Sequence, residues 1–148
     1  MNQAAKPDDF VHRHRETIRW GDMDAFGHVN NVEFFRYLES ARVEYAMAVL
    51  ANEVRAEGEN IILADLRCAF RRQLHWPGQV DVYTRTVRVG RSSIGLQQIM
   101  CVADTDTVVA TADTVLVWFD FKRQRPAAVP DGIRAGIAGY EKLRPEGA

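Results

Sequence analysis

Residues 20–50 read WGDMDAFGHVNNVEFFRYLESARVEYAMAVL, and the two parts of this stretch follow different rules. From Asn31 onward, Phe34, Phe35, Leu38, Ala41, Tyr45, Ala46 and Val49 recur at steps of three and four. That spacing gathers apolar side chains on one face of an α-helix, predicted here over about 31–51. Glu33, Arg36, Glu39 and Arg42 fall on its polar face, where Glu39 and Arg42, one turn apart, are placed to pair. Asn30 or Asn31 is a natural N-cap. The part from Trp20 to Asn31 is a loop carrying Asp22, Asp24, His28, Asn30, Asn31 and two glycines. Polar groups at such density need partners or solvent. Loops held between rigid elements are also where reacting groups gather.

Working outward, His14, Glu16, Ile18 and Trp20 alternate as in a strand over Val11–Trp20, ended by Gly21. Beyond Gly58 the pattern turns to β, with strands expected at Ile61–Arg71, Val80–Val89, Ser93–Asp104 and Thr107–Phe121. Pro77-Gly78, Gly90-Arg91 and Asp104-Thr105-Asp106 mark the connections, short enough to favour an antiparallel meander. In the second of these strands Val80, Val82, Thr84, Thr86 and Arg88 share one side, and Asp81, Tyr83, Arg85, Val87 and Val89 the other. Pro126 and Pro130 interrupt the chain, after which Asp131 is expected to cap a short helix, Gly132–Leu143. Residues 1–10 read as a flexible leader and residues 122–148 as a C-terminal extension.

The 148 residues suit one domain spanning 1–148, and 47% hydrophobic with 26% charged residues is an ordinary globular composition. The expected architecture is α+β, an antiparallel sheet of about five strands wrapped around one long helix. One helix covers only one face of such a sheet. The other face or an edge is therefore expected against a second copy, in a homodimer or homotetramer. Nineteen basic against twenty acidic residues, a net charge of -1, argues against nucleic acid as a partner. No apolar run is long enough to cross a membrane, and the polar Met1–Asp9 contains no signal-like core, so a cytoplasmic location is expected. Cys68 and Cys101 lack any metal-ligand spacing and read as reduced thiols buried in the sheet. With His12, His14 and His75 equally unclustered, no metal site is expected. Trp20, Trp76 and Trp118 read as core or interface residues.

The string Asp22-Met23-Asp24-Ala25-Phe26-Gly27-His28-Val29-Asn30-Asn31, followed by Phe34 and Leu38-Glu39-Ser40-Ala41-Arg42, resembles the hotdog-fold acyl-CoA thioesterases of the 4-hydroxybenzoyl-CoA thioesterase-like family. Pro77-Gly78, the strand through Arg85 and Gly90-Arg91-Ser92-Ser93 extend the similarity, which runs from about Thr17 to Phe121. Relatives often carry tyrosine where this chain has Phe34, so a phenol role is lost there.

The resemblance implies hydrolysis of an acyl-CoA thioester without metal or redox cofactor. Asp24 would be nucleophile or general base, and the Asn31 backbone N–H, at the positive end of the helix, the oxyanion donor. Gly27 would let the backbone turn tightly or pass close to the ligand. His28 is an acid–base candidate because imidazole titrates near neutrality, though the aspartate mechanism does not require it. Asp22 reads as structural. Glu39 is the alternative base, since other hotdog branches place a catalytic glutamate on this helix. Arg91, Ser92 and Ser93 would hold the coenzyme A phosphates, with Arg85, Arg88 and Arg123 extending the patch from a neighbouring subunit. Two other hotdog activities stay open: an acyl-CoA binder that does not hydrolyse, and a hydratase or dehydratase using His28.

Overall fold

The computed structural model describes residues 4–51 and 56–148. Among these residues are six strands: β1 (His12–Ile18), β2 (Glu59–Phe70), β3 (Gly78–Val89), β4 (Ser93–Val102), β5 (Val108–Asp120) and the short β6 (Arg125–Pro126). They form one antiparallel sheet in the order β1-β3-β4-β5-β2, with β6 paired to β5. The 20-residue helix α1 (Asn31–Leu50) lies on one face, and α2 (Asp131–Tyr140) follows near the C-terminus. The expected sheet wrapped around a single long helix is thus what the chain forms.

Curvature comes from three places where one strand carries an extra residue. The register slips between Leu63 and Asp65, between Thr86 and Arg88, and between Met100 and Cys101. Such bulges bend the strand and increase its twist. The second corrects the predicted facing of β3. Val80, Val82, Thr84 and Thr86 point inward as expected, but past Val87 the alternation reverses, so Val89 is buried and Arg88 exposed.

The helix divides the core in two. Around its first half pack Ile18, Phe34, Leu38, Leu74, Val82 and Met100; around its second half lie Tyr45, Val49, Leu96, Trp118, Ile133 and Ile137. Trp118 alone of the three tryptophans is in the core, its indole N–H donating to Glu59. α2 closes the second half. Its first residue is Asp131 and its N-cap is Pro130, so Asp131 does not cap it from outside, and it ends at Tyr140.

Two expectations about the helix face change. Arg42 is turned inward and buried, where it donates to Gln98 at 3.4 Å. Glu39 pairs instead with Arg36, at 3.0 Å. Gln98, fully buried, donates in turn to the Leu38 carbonyl and to Thr84, so this interior polar group has the partners burial demands.

On the outer face Phe10 is buried against Ile99 and Cys101, and Pro7–Asp9 forms a 3₁₀ turn. The segment read as a leader is docked there at its C-terminal end. Cys101 is buried and its thiol is pushed up to about 11 by burial; Cys68 is only half-buried, its thiol also raised. Among the described residues, no helix is long and apolar enough to cross a membrane.

Candidate active site

Two connections cross the same end of the sheet side by side. One, residues 19–30, carries the chain from β1 to α1; the other, residues 71–77, carries it from β2 to β3. The Val29 amide donates to the Leu74 carbonyl at 2.8 Å, and His75 Nδ1 lies 3.0 Å from the Gly27 carbonyl. The His28 and His75 rings meet edge to face, 4.9 Å apart. Residues far apart in sequence therefore fix the polar loop against a second strip of backbone.

Within the loop, Trp20–Asp22 forms a 3₁₀ turn and Met23 bridges to Val29. The Asp24 amide donates to the His28 carbonyl and the Gly27 amide to the Asp24 carbonyl. Gly27 sits at φ +81, a left-handed conformation that glycine adopts without strain. The half-buried Asp24 accepts from the Phe26 amide through Oδ1 at 2.9 Å, an Asx turn that leaves its other oxygen without a partner among the described residues.

Asp22 occupies a different environment. It is buried, accepts from the Tyr37 hydroxyl and from the Arg19 amide, and its carbonyl receives the Asn30 amide. Burial, with Asp22 alongside, raises the Tyr37 phenol well above its ordinary range. Asp22 and Tyr37 anchor the loop to the helix, a contact the sequence reading missed for Tyr37. Tyr37→Phe leaves Asp22 buried with one donor fewer and is expected to cost about 2 kcal/mol of stability, measured by urea unfolding.

At the helix start Asn30 is the N-cap, its side chain accepting from the Val32 amide at 3.0 Å, while the Glu33 amide donates to the Asn30 carbonyl at 2.9 Å. Asn31 is the first helical residue and exposed, and its amide has no acceptor among the described residues. A free N–H at a helix N-terminus favours negative charge. Phe34 is buried against Phe70, ring centroids 5.3 Å apart.

Along the second half of α1, a groove of about 710 Å³ opens between the helix and β2. Glu39, Arg42, Met47, Leu50, Ile61 and Leu63 are among its walls. Glu39 is eight residues beyond Asn31, about 12 Å along a helix. No three histidine, cysteine, aspartate or glutamate side chains converge as a metal site among the described residues.

The Arg91-Ser92-Ser93 turn is elsewhere. β3 starts beside the loop, where Gly78 pairs with Ile18, and reaches this turn only after its full length, roughly 40 Å away at strand rise. There the Arg91 and Ser92 carbonyls accept the Val129 and Trp118 amides, and Arg134 donates to the Gly90 carbonyl. Within one subunit the turn and Asp24 are not brought together. Arg85 is tied to Gln97 and stacks over Phe10, and Arg123 pairs with Asp120.

Residues 18–137 match the family model of the Thioesterase-like superfamily, most of the chain. The chain belongs to that superfamily. Its sheet around one helix is the hotdog fold implied by the loop motif. The PA2801 protein of Pseudomonas aeruginosa is 32% identical, with a TM-score of 0.77 over 87% of this chain and 99% of that one. A thioesterase from Thermus thermophilus, solved with coenzyme A and zinc, is 29% identical, with a TM-score of 0.78 over 92% of this chain and 98% of that one. The acyl-acyl carrier protein thioesterase ATL2 of Arabidopsis thaliana chloroplasts is 26% identical over 126 residues, 84% of this chain and 66% of that protein. The chain spans about half to two thirds of the length of the curated relatives it matches.

Proposed function

We propose that the protein hydrolyses an acyl-CoA thioester to a carboxylic acid and free coenzyme A. One observation carries this reading: one tightly turned loop bears a half-buried carboxylate and leads into a helix N-terminal amide, and one carboxylate oxygen and that amide have no partner among the described residues. The thioester carbonyl oxygen would accept the Asn31 N–H, which becomes a stronger contact as negative charge grows on that oxygen. Asp24, through the oxygen not engaged by Phe26, attacks the carbonyl carbon or takes a proton from the attacking water. Gly27 holds the turn between them. His28, ringed against His75, sets the loop's shape rather than moving a proton. The acyl chain runs along α1 in the groove between helix and β2.

β2 is an edge of the sheet, and Leu63 on it and Val43 and Met47 on α1 across the groove are exposed. A second copy added along this edge would cover apolar surface and roof the groove. In such a homodimer, with or without further pairing to a tetramer, the Arg91-Ser92-Ser93 turn of one subunit would serve a ligand bound at the loop of the other.

A panel of acyl-CoA thioesters followed with a thiol-reactive dye tests the activity. Release of thiol from at least one is expected, without change in enoyl absorbance. Absence of turnover across the panel would sink the hydrolase reading, and an enoyl signal without thiol would assign the hydratase chemistry instead.

A further inference from the structure

The turn implied as the phosphate site lies at the far end of β3 from Asp24, with its carbonyls holding the C-terminal segment. Coenzyme A carries a diphosphate and a 3′-phosphate, so cationic groups on the ligand's own subunit can act beside that turn of the other subunit. The connection 71–77 supplies them. It opens with Arg71-Arg72, both exposed, and neither side chain has a hydrogen bond or ion pair among the described residues.

Their backbone is fixed by the sheet itself. Where the β4–β5 register slips between Met100 and Cys101, Val109 is left out of the ladder, and its carbonyl accepts both the Arg71 amide, at 2.8 Å, and the Arg72 amide, at 3.1 Å. The first of these bonds continues the β2–β5 ladder one step past the Phe70–Ala110 pair. Two residues later Leu74 receives the Val29 amide, so Arg72 Cα lies within about 8 Å of the Leu74 Cα bonded to the loop. Trp76, on the same connection, and Phe26, on the loop it meets, are 45% and 86% exposed and add flat apolar surface at this end of the sheet. Two unpaired guanidinium groups on an anchored backbone suit a phosphate, which arginine can grip through paired N–H donors.

We propose that Arg71 and Arg72 form an anion site for the phosphates of the coenzyme A portion of the substrate, on the same subunit as Asp24. The inference rests on the thioester reading above and adds the recognition of the leaving group. The pantetheine arm would cross the seam between the two connections, putting the sulfur at Asp24 and the phosphates over the arginines.

The test compares one acyl group carried on coenzyme A, on an acyl carrier protein and on pantetheine, which has no phosphate, with wild type and Arg71→Gln/Arg72→Gln. The double variant is expected to raise KM for the coenzyme A ester at least about tenfold, in line with losing charge-assisted contacts. Its kcat, and both constants for the pantetheine ester, should stay at wild-type values. Arg125→Gln, which removes a charge on exposed β6, is expected to change neither. An unchanged KM for the coenzyme A ester overturns the proposal, as does an equal loss on both esters. A loss confined to carrier-protein thioesters also overturns it, assigning the arginines to an acidic protein. If wild type cleaves neither ester, the hydrolase reading falls, and calorimetric titration with coenzyme A then decides the site: about tenfold weaker binding by the double variant supports it, equal binding overturns it.

Discussion

Asp24→Asn is expected to lower kcat on the best acyl-CoA substrate by about 10³-fold, the scale of a lost base, with KM little changed. The asparagine substitution isolates the reaction from the fold. Its side-chain oxygen still accepts the Phe26 amide, so the Asx turn survives and only the charge disappears. Asp24→Ala removes both, and is expected to lose stability as well as rate. If Asp24 served only to shape the loop, Asn would behave as wild type and Ala alone would be impaired. Steady-state kinetics and thermal melts on the three proteins separate these cases.

Asn31→Pro is expected to reduce kcat by about 10²- to 10³-fold, the cost of removing one oxyanion donor. The first position of a helix is where proline is best tolerated, because the lost N–H has no partner inside the helix. The preceding residue fits too: Asn30 sits at φ -61 and ψ 137, the extended conformation favoured before proline. The Val32 and Glu33 amides keep their acceptors on Asn30, so melting temperature should hardly move. Asn31→Ala, which keeps the backbone N–H, is the matched control and should retain most activity. A proline variant with near-native kcat would remove the Asn31 amide from the mechanism.

Much of this fold was legible because its strongest signals are local. The three- and four-residue steps after Asn31 mark the helix without knowledge of its neighbours, and the turn residues after Gly58 mark the strands. Arg42 was misread for the same reason. A helical wheel assigns a cation to the solvent side, whereas its acceptor Gln98 lies on a strand 56 residues away. The face reversal at Val89 was hidden because a bulge leaves no mark in an alternating pattern as permissive as Thr86-Val87-Arg88.

The candidate site divided along similar lines. Asp24, Gly27 and Asn31 stood out as a string of chemically loaded residues before a helix. The contribution of Tyr37 did not, since tyrosine on an apolar stripe looks like core until its hydroxyl is found on Asp22. Nor did the seam with residues 71–77, which depends on Leu74 and His75 meeting Val29 and Gly27 across more than forty residues. Arg71-Arg72 carries no recognisable spacing at all. Its meaning comes from the carbonyl of Val109 and from which end of the sheet it occupies.

The placement of the two cysteines has a practical side. Thiolate is the form that reacts with electrophilic reagents, and burial raises both thiols, Cys101 to about 11. Cys101 is also closed off from solvent, and Cys68 is partly shielded. A dye that counts sulfur liberated from a thioester should therefore meet little background from the protein, so slow turnover can be followed at high enzyme concentration.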